Sequence, residues 1–175
     1  MEKLSIKNLA CKRGSRIIFD NISFEVKSGQ TFLIKGSNGS GKTSLMRTLA
    51  GYIEPHEGEI FIDGKNIDTS DNSYFQFIGE KNALKNNLSV KKNIILWSLL
   101  FNASIDIDDL LKKFDLTNCI NQDVETLSDG QKKRLSLSKL FLHQKPIWLL
   151  DEPYVFLDEQ NTIDLNKQIS RFNLE

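Results

Sequence analysis

Residues 36–43 read Gly36-Ser37-Asn38-Gly39-Ser40-Gly41-Lys42-Thr43, and this stretch decides the fold. It fits the phosphate-loop pattern, in which a glycine-rich turn joins a buried strand to the start of a helix. The sequence on both sides meets that condition, because the apolar run Thr31–Ile34 precedes the loop and helix-forming residues 42–50 follow it. Gly51 falls where a left-handed C-terminal cap is expected. The stretch therefore predicts an α/β fold that binds a nucleotide phosphate.

Each residue type in this loop has its own physical task. Glycines let the backbone curl so that N–H groups point at phosphate oxygens, Lys42 reaches the outer phosphates, and Thr43 binds Mg²⁺. The positive end of the helix adds to the attraction. A chance glycine-rich turn is the alternative, and the flanking strand and helix argue against it. We predict that the phosphates of ATP are bound by Gly36, Ser37, Asn38, Gly39, Ser40, Gly41, Lys42, Thr43 and Ser44.

A second chemical element is the hydrophobic strand predicted at Pro146–Leu150, which is followed by Asp151 and Glu152. In phosphate-loop enzymes an acid at such a strand end binds Mg²⁺, so Asp151 is the candidate metal ligand beside Thr43. Glu152 is the candidate catalytic residue, a general base that polarises the attacking water. A strand followed by a solvated acidic turn is the alternative, and the phosphate loop makes it the weaker one.

A third element is the string LSDGQ at residues 127–131, which opens an apolar-striped segment to Leu142. Ser128 is a candidate helix cap, and Gly130 allows a backbone to approach an anion at the positive helix end. Taken alone, the string predicts only a capped helix start.

The remaining elements follow from hydrophobic periodicity and turn residues. Asp63-Gly64 predicts a tight turn after a strand, and Asp158 predicts the cap of a last, polar helix. One domain over residues 1–175 is expected, with a helical subdomain at about 80–145. Predicted strands cover residues 4–9, 17–26, 59–62 and 74–78, and predicted helices cover 89–101 and 108–114.

Composition excludes several classes of protein. The chain has 175 residues, with 23 Lys plus Arg against 23 Asp plus Glu, so a nucleic-acid binder that works by excess positive charge is not expected. Cys11 and Cys119 support neither a disulfide framework nor a zinc site, which predicts a reducing compartment. No apolar stretch reaches the roughly 20 residues of a membrane-spanning helix, and the N-terminus opens no signal peptide.

The three chemical elements, in their order along the chain, resemble the ATP-binding-cassette ATPases. LSDGQ is close to the family's LSGGQ signature, LLDEP at 149–153 is similar to its second acidic motif, and Leu157-Asp158 to its D-loop. The resemblance implies an ABC nucleotide-binding domain: a P-loop NTPase core with antiparallel edge strands and a helical subdomain. It also implies a head-to-tail homodimer, in which Ser128, Gly130 and Gln131 contact the ATP held by the other copy.

A narrower resemblance is to the ATP-binding subunit of the cytochrome c maturation system, which handles and exports haem. It is carried by LACKRGSRIIF at 9–19, GSNGSGKTSLMR at 36–47 and LSDGQKKRLSLSKL at 127–140. It implies ATP and Mg²⁺ as cofactors and an integral membrane permease as partner. The implied place is peripheral, on the cytoplasmic face of the inner membrane or the matrix face of an organelle.

The chain departs from the family pattern in three places. Arg13 stands where many members carry an aromatic residue that stacks on adenine, and a guanidinium can stack there as well. Gly79-Glu80-Lys81 stands where the family usually has a Gln that helps to bind Mg²⁺; Glu80 could replace that ligand, and a plain surface charge is the alternative. The family also expects a strand and a His after the acidic pair, whereas His56 and His143 both precede it. A truncated chain and a loss of that His both remain open.

Three functions therefore stay open at this stage. The first is an ATP-hydrolysing subunit of a haem exporter, or of another small-molecule exporter. The second is a cassette ATPase of a non-transport class, such as a ribosome-acting or DNA-repair protein. The third is a nucleotide-binding protein with little or no turnover.

Overall fold

The computed structural model describes residues 1–68, 70–71, 73–142 and 145–174. His143, for which a capping or surface role is predicted, lies outside the described residues. The elements are β1 (Lys3–Arg13), β2 (Arg16–Lys27), α1 (Lys42–Leu49), β3 (Glu57–Ile62), β4 (Lys65–Asn66), β5 (Phe75–Ile78), α2 (Val90–Phe101), α3 (Ile107–Lys113), α4 (Asp129–Ser138), β6 (Ile147–Leu150) and α5 (Glu159–Phe172). Short 3₁₀ turns occupy Thr117–Cys119, Val124–Thr126 and Lys139–Phe141.

The chain divides into two compact units, one of Met1–Phe77 with Leu165–Glu175 and one of Ile78–Asp164. The second unit holds α2, α3 and α4, which fall within the helical segment predicted at about 80–145. The reading of the whole chain as one domain with a helical subdomain stays a prediction. Among the described residues, no helix combines the length and the apolar character that a membrane crossing requires.

An antiparallel sheet with the strand order β2-β1-β3-β4 dominates the first unit. β1 and β2 form a hairpin whose register runs from Lys3 opposite Lys27 to Arg13 opposite Arg16. The predicted edge strands are therefore confirmed, and they are longer than predicted. Asp63 and Gly64, with φ angles of 51° and 78°, form the predicted turn between β3 and β4. The buried side of the sheet includes Leu4, Ile6, Leu9, Ile60 and Ile62.

The buried strand predicted at Thr31–Ile34 is wrong for this structure. None of these residues belongs to a strand, and the side chains of Phe32 and Leu33 are 49% and 69% exposed. Phe32 stacks on Phe24 of β2 at a centroid distance of 4.6 Å. The physical reason is the lack of a strand neighbour within the described part of the chain, because an apolar run forms a strand only where a second backbone bonds to it.

The other predicted elements are confirmed with shifts of one or two residues. Ala50 caps α1 and Gly51 follows with a φ of 76°, as the capping pattern requires. Ser89 caps α2 by accepting a hydrogen bond from Lys92 N at 3.3 Å. Asp158 accepts a hydrogen bond from Asn161 N at 2.8 Å, at the start of α5. β5 and β6 form a second, two-stranded sheet, and the boundary between the two units passes through β5.

Candidate functional site

The phosphate loop, residues 36–44, lies in the first unit and leads directly into α1. Gly41 is the N-cap of α1 with a φ of 96°, a left-handed backbone that glycine adopts at low cost. A Cβ at this position would lie 3.2 Å from both Cγ2 and the carbonyl oxygen of Ile18 in β2. Glycine is therefore required here by the backbone angle and also by the nearby strand.

Lys42 closes the loop on itself. Its Nζ donates hydrogen bonds to the carbonyl oxygens of Gly36 at 2.8 Å and Ser37 at 2.9 Å. The first turn of α1, all of which the structure describes, contains no acidic residue. The N–H groups of a first helical turn lack partners within the helix and carry partial positive charge. The loop thus presents N–H groups and a lysine, which is the chemistry that binds a phosphate.

Asp151 and Glu152 follow β6 in the second unit. Asp151 is 3% exposed, and its N–H donates a 2.8 Å hydrogen bond to the carbonyl oxygen of Ile78 at the end of β5. Asp151 Oδ2 is buried and has no hydrogen-bond partner among the described residues. Glu152 is exposed, with a φ of 48° that residues other than glycine rarely adopt. One acid is therefore buried with an unused oxygen, and the other is open to solvent.

The unused oxygen of Asp151 makes this residue suited to a cation. A buried carboxylate without partners costs several kcal/mol, and a bound cation removes that cost. No group of three His, Cys, Asp or Glu that could hold a metal occurs among the described residues. Proteins commonly bind Mg²⁺ through one or two carboxylates, while phosphates and water supply the other ligands, so a single buried carboxylate can take part in such a site. Thr43, in the other unit, stays a ligand predicted from the loop pattern.

Ser128 and Gln131 cap α4 reciprocally. The Ser128 hydroxyl oxygen accepts from Gln131 N at 3.2 Å, and Gln131 Oε1 accepts from Ser128 N at 2.9 Å. The cap predicted for Ser128 is therefore confirmed. Gln131, predicted to contact ATP, here serves as the second half of a capping box. Within the described part of the chain the Ser128 hydroxyl serves as an acceptor, and its own proton can still be donated to an anion.

Gly130 is held against the loop that follows the acidic pair. A Cβ on Gly130 would lie 2.9 Å from the carbonyl oxygen of Phe156, closer than packed atoms allow. Phe156 itself is 63% exposed and has a φ of 67°. The sequence pattern assigns Gly130 to the approach of an anion, and the structure adds an approach of this chain's own backbone.

Lys133 was missed by sequence reasoning, which shows it only as the middle of a basic run. Its side chain is 2% exposed. Burial lowers the pKa of Lys133, and the negative charges of Asp151, Glu152 and Glu80 act in the opposite direction. A signal was available, because Leu137 and Leu140 stand four and seven residues after Lys133 and lie on the same, buried face of the helical segment.

The structure groups the predicted residues into three local clusters. The phosphate loop forms one in the first unit, while the acidic pair and the start of α4 form two in the second unit. Their roles toward ATP stay predictions.

The sequence is similar to that of known proteins along most of its length. The sequence profile of the ABC transporter family matches residues 19–155. The cytochrome c biogenesis ATP-binding export protein CcmA of Rhodopseudomonas palustris is 38% identical over 156 residues, which cover 89% of this chain and 78% of that protein. The protein of the same name from Haemophilus influenzae is 37% identical over 164 residues, covering 90% of this chain and 77% of that protein.

Solved structures show the same fold at lower identity. The ATP-binding subunit of an ABC transporter has a TM-score of 0.86 at 23% identity, covering 98% of this chain and 75% of that one. A bacterial Atm1-family ABC exporter with ATP bound has a TM-score of 0.84 at 24% identity, covering 98% of this chain and 32% of that one.

Proposed function

The chain belongs to the ABC transporter family, and from that premise we propose that it is the ATP-binding and ATP-hydrolysing subunit of an exporter that serves cytochrome c biogenesis. The observation that carries the proposal is the identity of 37–38%, over about nine tenths of the chain, to proteins named as ATP-binding export proteins of that process. Haem is the cargo that the narrower sequence resemblance implies.

ATP is bound by the phosphate loop, residues 36–44. The N–H groups at the start of α1 and the Lys42 ammonium supply donors and positive charge for the phosphates. Lys42 donates two of its three N–H groups to the carbonyl oxygens of Gly36 and Ser37, so one remains to donate to a phosphate oxygen. A hydrogen bond between an ammonium and a phosphate is stronger than one to a neutral carbonyl.

Hydrolysis is assigned to the end of β6. Bound Mg²⁺ would neutralise charge that develops on the transferred phosphoryl group. Asp151 would hold that ion through its unused Oδ2. Thr43 stays a Mg²⁺ ligand predicted from the loop pattern alone. Glu152, which is exposed at the strand end, is the proposed general base that accepts a proton from the attacking water.

The partners follow from the same proposal. A second copy supplies Ser128, Gly130 and Gln131 to the bound ATP, and the Ser128 hydroxyl proton is free to donate to a phosphate oxygen. An integral membrane permease carries the cargo, and the chain binds to it peripherally at the cytoplasmic or matrix face.

The test replaces Lys42 by Ala. We expect ATP affinity, measured calorimetrically, to fall by about 10–100-fold, since a hydrogen bond to a charged group contributes about 1.5–3 kcal/mol. Cells whose only copy carries Lys42→Ala are expected to lose covalent haem staining of their c-type cytochromes.

Lys35→Ala is the matched control, because Lys35 is exposed and directly precedes the loop. It is expected to leave both affinity and staining unchanged. Unchanged affinity in Lys42→Ala would refute the phosphate loop as the ATP site. Normal staining with lost affinity would refute the cytochrome c role alone.

A further inference from the structure

We propose that Asn93 is a positioning residue that fixes the place of Ser128 through the connecting segment, residues 79–89, which joins β5 to α2. The inference rests on the proposed function, in which Ser128 contacts the ATP held by the other copy. In this proposal Asn93 does not contact ATP and acts only through the backbone that it holds. All of these residues lie in the second unit.

The amide of Asn93 is buried and bonded to the backbone of the connecting segment. Asn93 lies at the end of the first turn of α2 and is 0% exposed. Its Oδ1 accepts a hydrogen bond from Lys85 N at 2.9 Å, and its Nδ2 donates to the carbonyl oxygen of Lys85 at 3.0 Å. Nδ2 also donates to the carbonyl oxygens of Leu88 and Ser89, at 3.2 and 3.1 Å. One side chain therefore holds both ends of residues 85–89.

The same part of the connecting segment bonds to the backbone that leads into α4. Glu125 N donates to the carbonyl oxygen of Asn86, and Val124 N donates to that of Leu88, both at 3.0 Å. The side chain of Val124 is 0% exposed, and Ser128, the N-cap of α4, follows it by four residues. The part of the connecting segment that Asn93 holds therefore supports the backbone that places the Ser128 hydroxyl.

The connecting segment is also fixed nearer to β5. Ser136 Oγ of α4 and Lys139 Nζ of the 3₁₀ turn after α4 donate to the carbonyl oxygen of Asn82, at 3.1 and 2.9 Å. Both donor residues are buried, so water competes little for that carbonyl oxygen. The connecting segment is thus bonded to the C-terminal part of α4 at Asn82 and to the residues before α4 through residues 85–89.

The chemistry of the asparagine side chain suits this task. Its amide offers an acceptor and two N–H donors on one short, planar group. Alanine at position 93 would remove the partner of Lys85 N and of the carbonyl oxygens that Nδ2 contacts, and buried backbone groups need such partners. The backbone of residues 85–89 would then move to find other partners. A misplacement of about 1 Å can slow a reaction by about 10²-fold, so this movement would reach hydrolysis through Ser128.

The test compares Asn93→Ala with Asn87→Ala in the full chain. Asn87 is an exposed asparagine of the same connecting segment and is the matched control. We expect Asn93→Ala to lower the single-turnover rate of ATP hydrolysis by about 10–100-fold, because Ser128 is displaced. ATP affinity, measured calorimetrically, is expected to stay unchanged, because the phosphate loop lies in the other unit. Asn87→Ala is expected to leave both the rate and the affinity at their wild-type values.

A double-mutant cycle with Ser128→Ala separates positioning from a general loss of stability. Ser128→Ala removes the proposed donor to phosphate and is expected to lower the rate by about 10²–10³. If Asn93 acts through Ser128, adding Asn93→Ala to Ser128→Ala is expected to slow hydrolysis by less than about 2-fold more. Slowing by the same factor with and without Ser128→Ala would overturn the inference.

A second readout does not depend on turnover. In Asn93→Ala the N–H groups of Val124 and Glu125 lose acceptors that are held in place, so their hydrogen exchange is expected to become faster. Exchange in α1, which lies in the first unit, is expected to stay at the wild-type rate. Mass spectrometry of peptides that cover residues 122–128 measures this change. Unchanged exchange in those peptides would overturn the inference.

The outcomes separate this inference from the proposed function. A wild-type protein that binds or hydrolyses no ATP would refute the proposed function, and the exchange measurement would still show whether Asn93 holds the backbone before α4. If Asn93→Ala does not fold, Asn93→Ser, which keeps one donor and one acceptor, takes its place in the same cycle. Failure of both variants to fold would make Asn93 a purely structural residue and would overturn the inference.

Discussion

Lys42 and Lys139 make the same kind of bond in two different regions of the molecule. Each ammonium donates to main-chain carbonyl oxygens, Lys42 to Gly36 and Ser37 and Lys139 to Asn82. Lys42 reaches back 5 and 6 residues along its own loop. Lys139 reaches across 57 residues of sequence and is 8% exposed.

The difference in sequence separation shows that Lys42 stabilises its own loop, whereas Lys139 joins two distant segments of the second unit. Lys42 is partly exposed and keeps a third N–H donor, so a phosphate can reach its ammonium without displacing either carbonyl oxygen. Lys139 Nζ also lies 5.1 Å from the centroid of the Trp97 ring, and its 8% exposure leaves water little access to these contacts. We therefore expect changes in the phosphate loop to alter ATP affinity, and changes in the second unit to alter turnover or stability.

The largest expected effect that tests this comparison is on the rate of ATP hydrolysis. Glu152→Gln keeps the size and hydrogen bonding of the side chain and removes the proposed base. Loss of a general base typically costs about 10²–10⁴ in rate, so single-turnover hydrolysis is expected to fall by that factor. ATP affinity is expected to remain at the wild-type value.

Glu159→Gln, an exposed glutamate at the start of α5, is the control and is expected to hydrolyse ATP normally. Equal rates for Glu152→Gln and wild type would remove Glu152 from the mechanism. If Glu152→Gln lost as much ATP affinity as Lys42→Ala, the expectation that the phosphate loop sets affinity and the second unit sets turnover would be wrong.

The next effect is a pH dependence of stability. Burial, and to a lesser extent the charge of Lys133, lowers the pKa of Lys139 to about 8. An unfolded lysine titrates near 10.4, so between about pH 8 and 10.4 the unfolded chain binds more protons than the folded one. The contribution of Lys139 to the free energy of unfolding therefore rises with pH across this window, by up to about 3 kcal/mol.

Urea unfolding of wild type and Lys139→Met at several pH values between 7 and about 10 measures this contribution as a difference between the two proteins. Wild type is expected to gain stability relative to Lys139→Met as the pH rises. Lys112→Met, at an exposed lysine of α3, is the control, and its free energy of unfolding is expected to change with pH as that of wild type does. Parallel pH profiles for wild type and Lys139→Met would contradict the assignment.

The smallest effect tests the contact between Gly130 and Phe156. Alanine in place of glycine inside a helix normally stabilises it by about 1 kcal/mol. Here the added methyl would lie 2.9 Å from the Phe156 carbonyl oxygen. We expect Gly130→Ala to lower the free energy of unfolding by about 1–3 kcal/mol instead, the usual cost of overpacking.

Asp129→Ala, one residue earlier in the same turn, is expected to cost only the helix-end charge effect of about 0.3–1 kcal/mol. A gain in stability for Gly130→Ala, measured by urea unfolding, would show that the Phe156 backbone moves away freely. The framework of the second unit would then be looser than the contact distance implies.

Features that depend on residues close in sequence were predicted correctly, and a feature that depends on distant residues was not. The cap of α1, the turn at Asp63-Gly64 and the capping of α4 by Ser128 were predictable because residues within four positions of each other determine them. Thr31–Ile34 was predicted wrongly because a strand needs a neighbour that lies elsewhere in the sequence, and periodicity contains no information about that neighbour.

The candidate site shows the same limit. The positions of the phosphate loop and of Asp151 could be predicted because each residue type has a local chemical reason. The burial of Lys133 and the contact of Gly130 with Phe156 depend on pairings across 18 or more positions. Such pairings need the folded backbone, because a basic run and a helical glycine have many ordinary explanations.

Glu152 has a left-handed backbone, with a φ of 48°, and this conformation lowers the stability of the chain at the residue proposed as its general base. A glutamate in that conformation costs roughly 1–2 kcal/mol, and glycine or asparagine adopts it more cheaply. Selection for stability alone would therefore favour replacement of Glu152, while selection for hydrolysis would retain it. Directed evolution of this chain toward higher temperature consequently needs a turnover screen at every round, because its stabilised survivors would otherwise lose the proposed base.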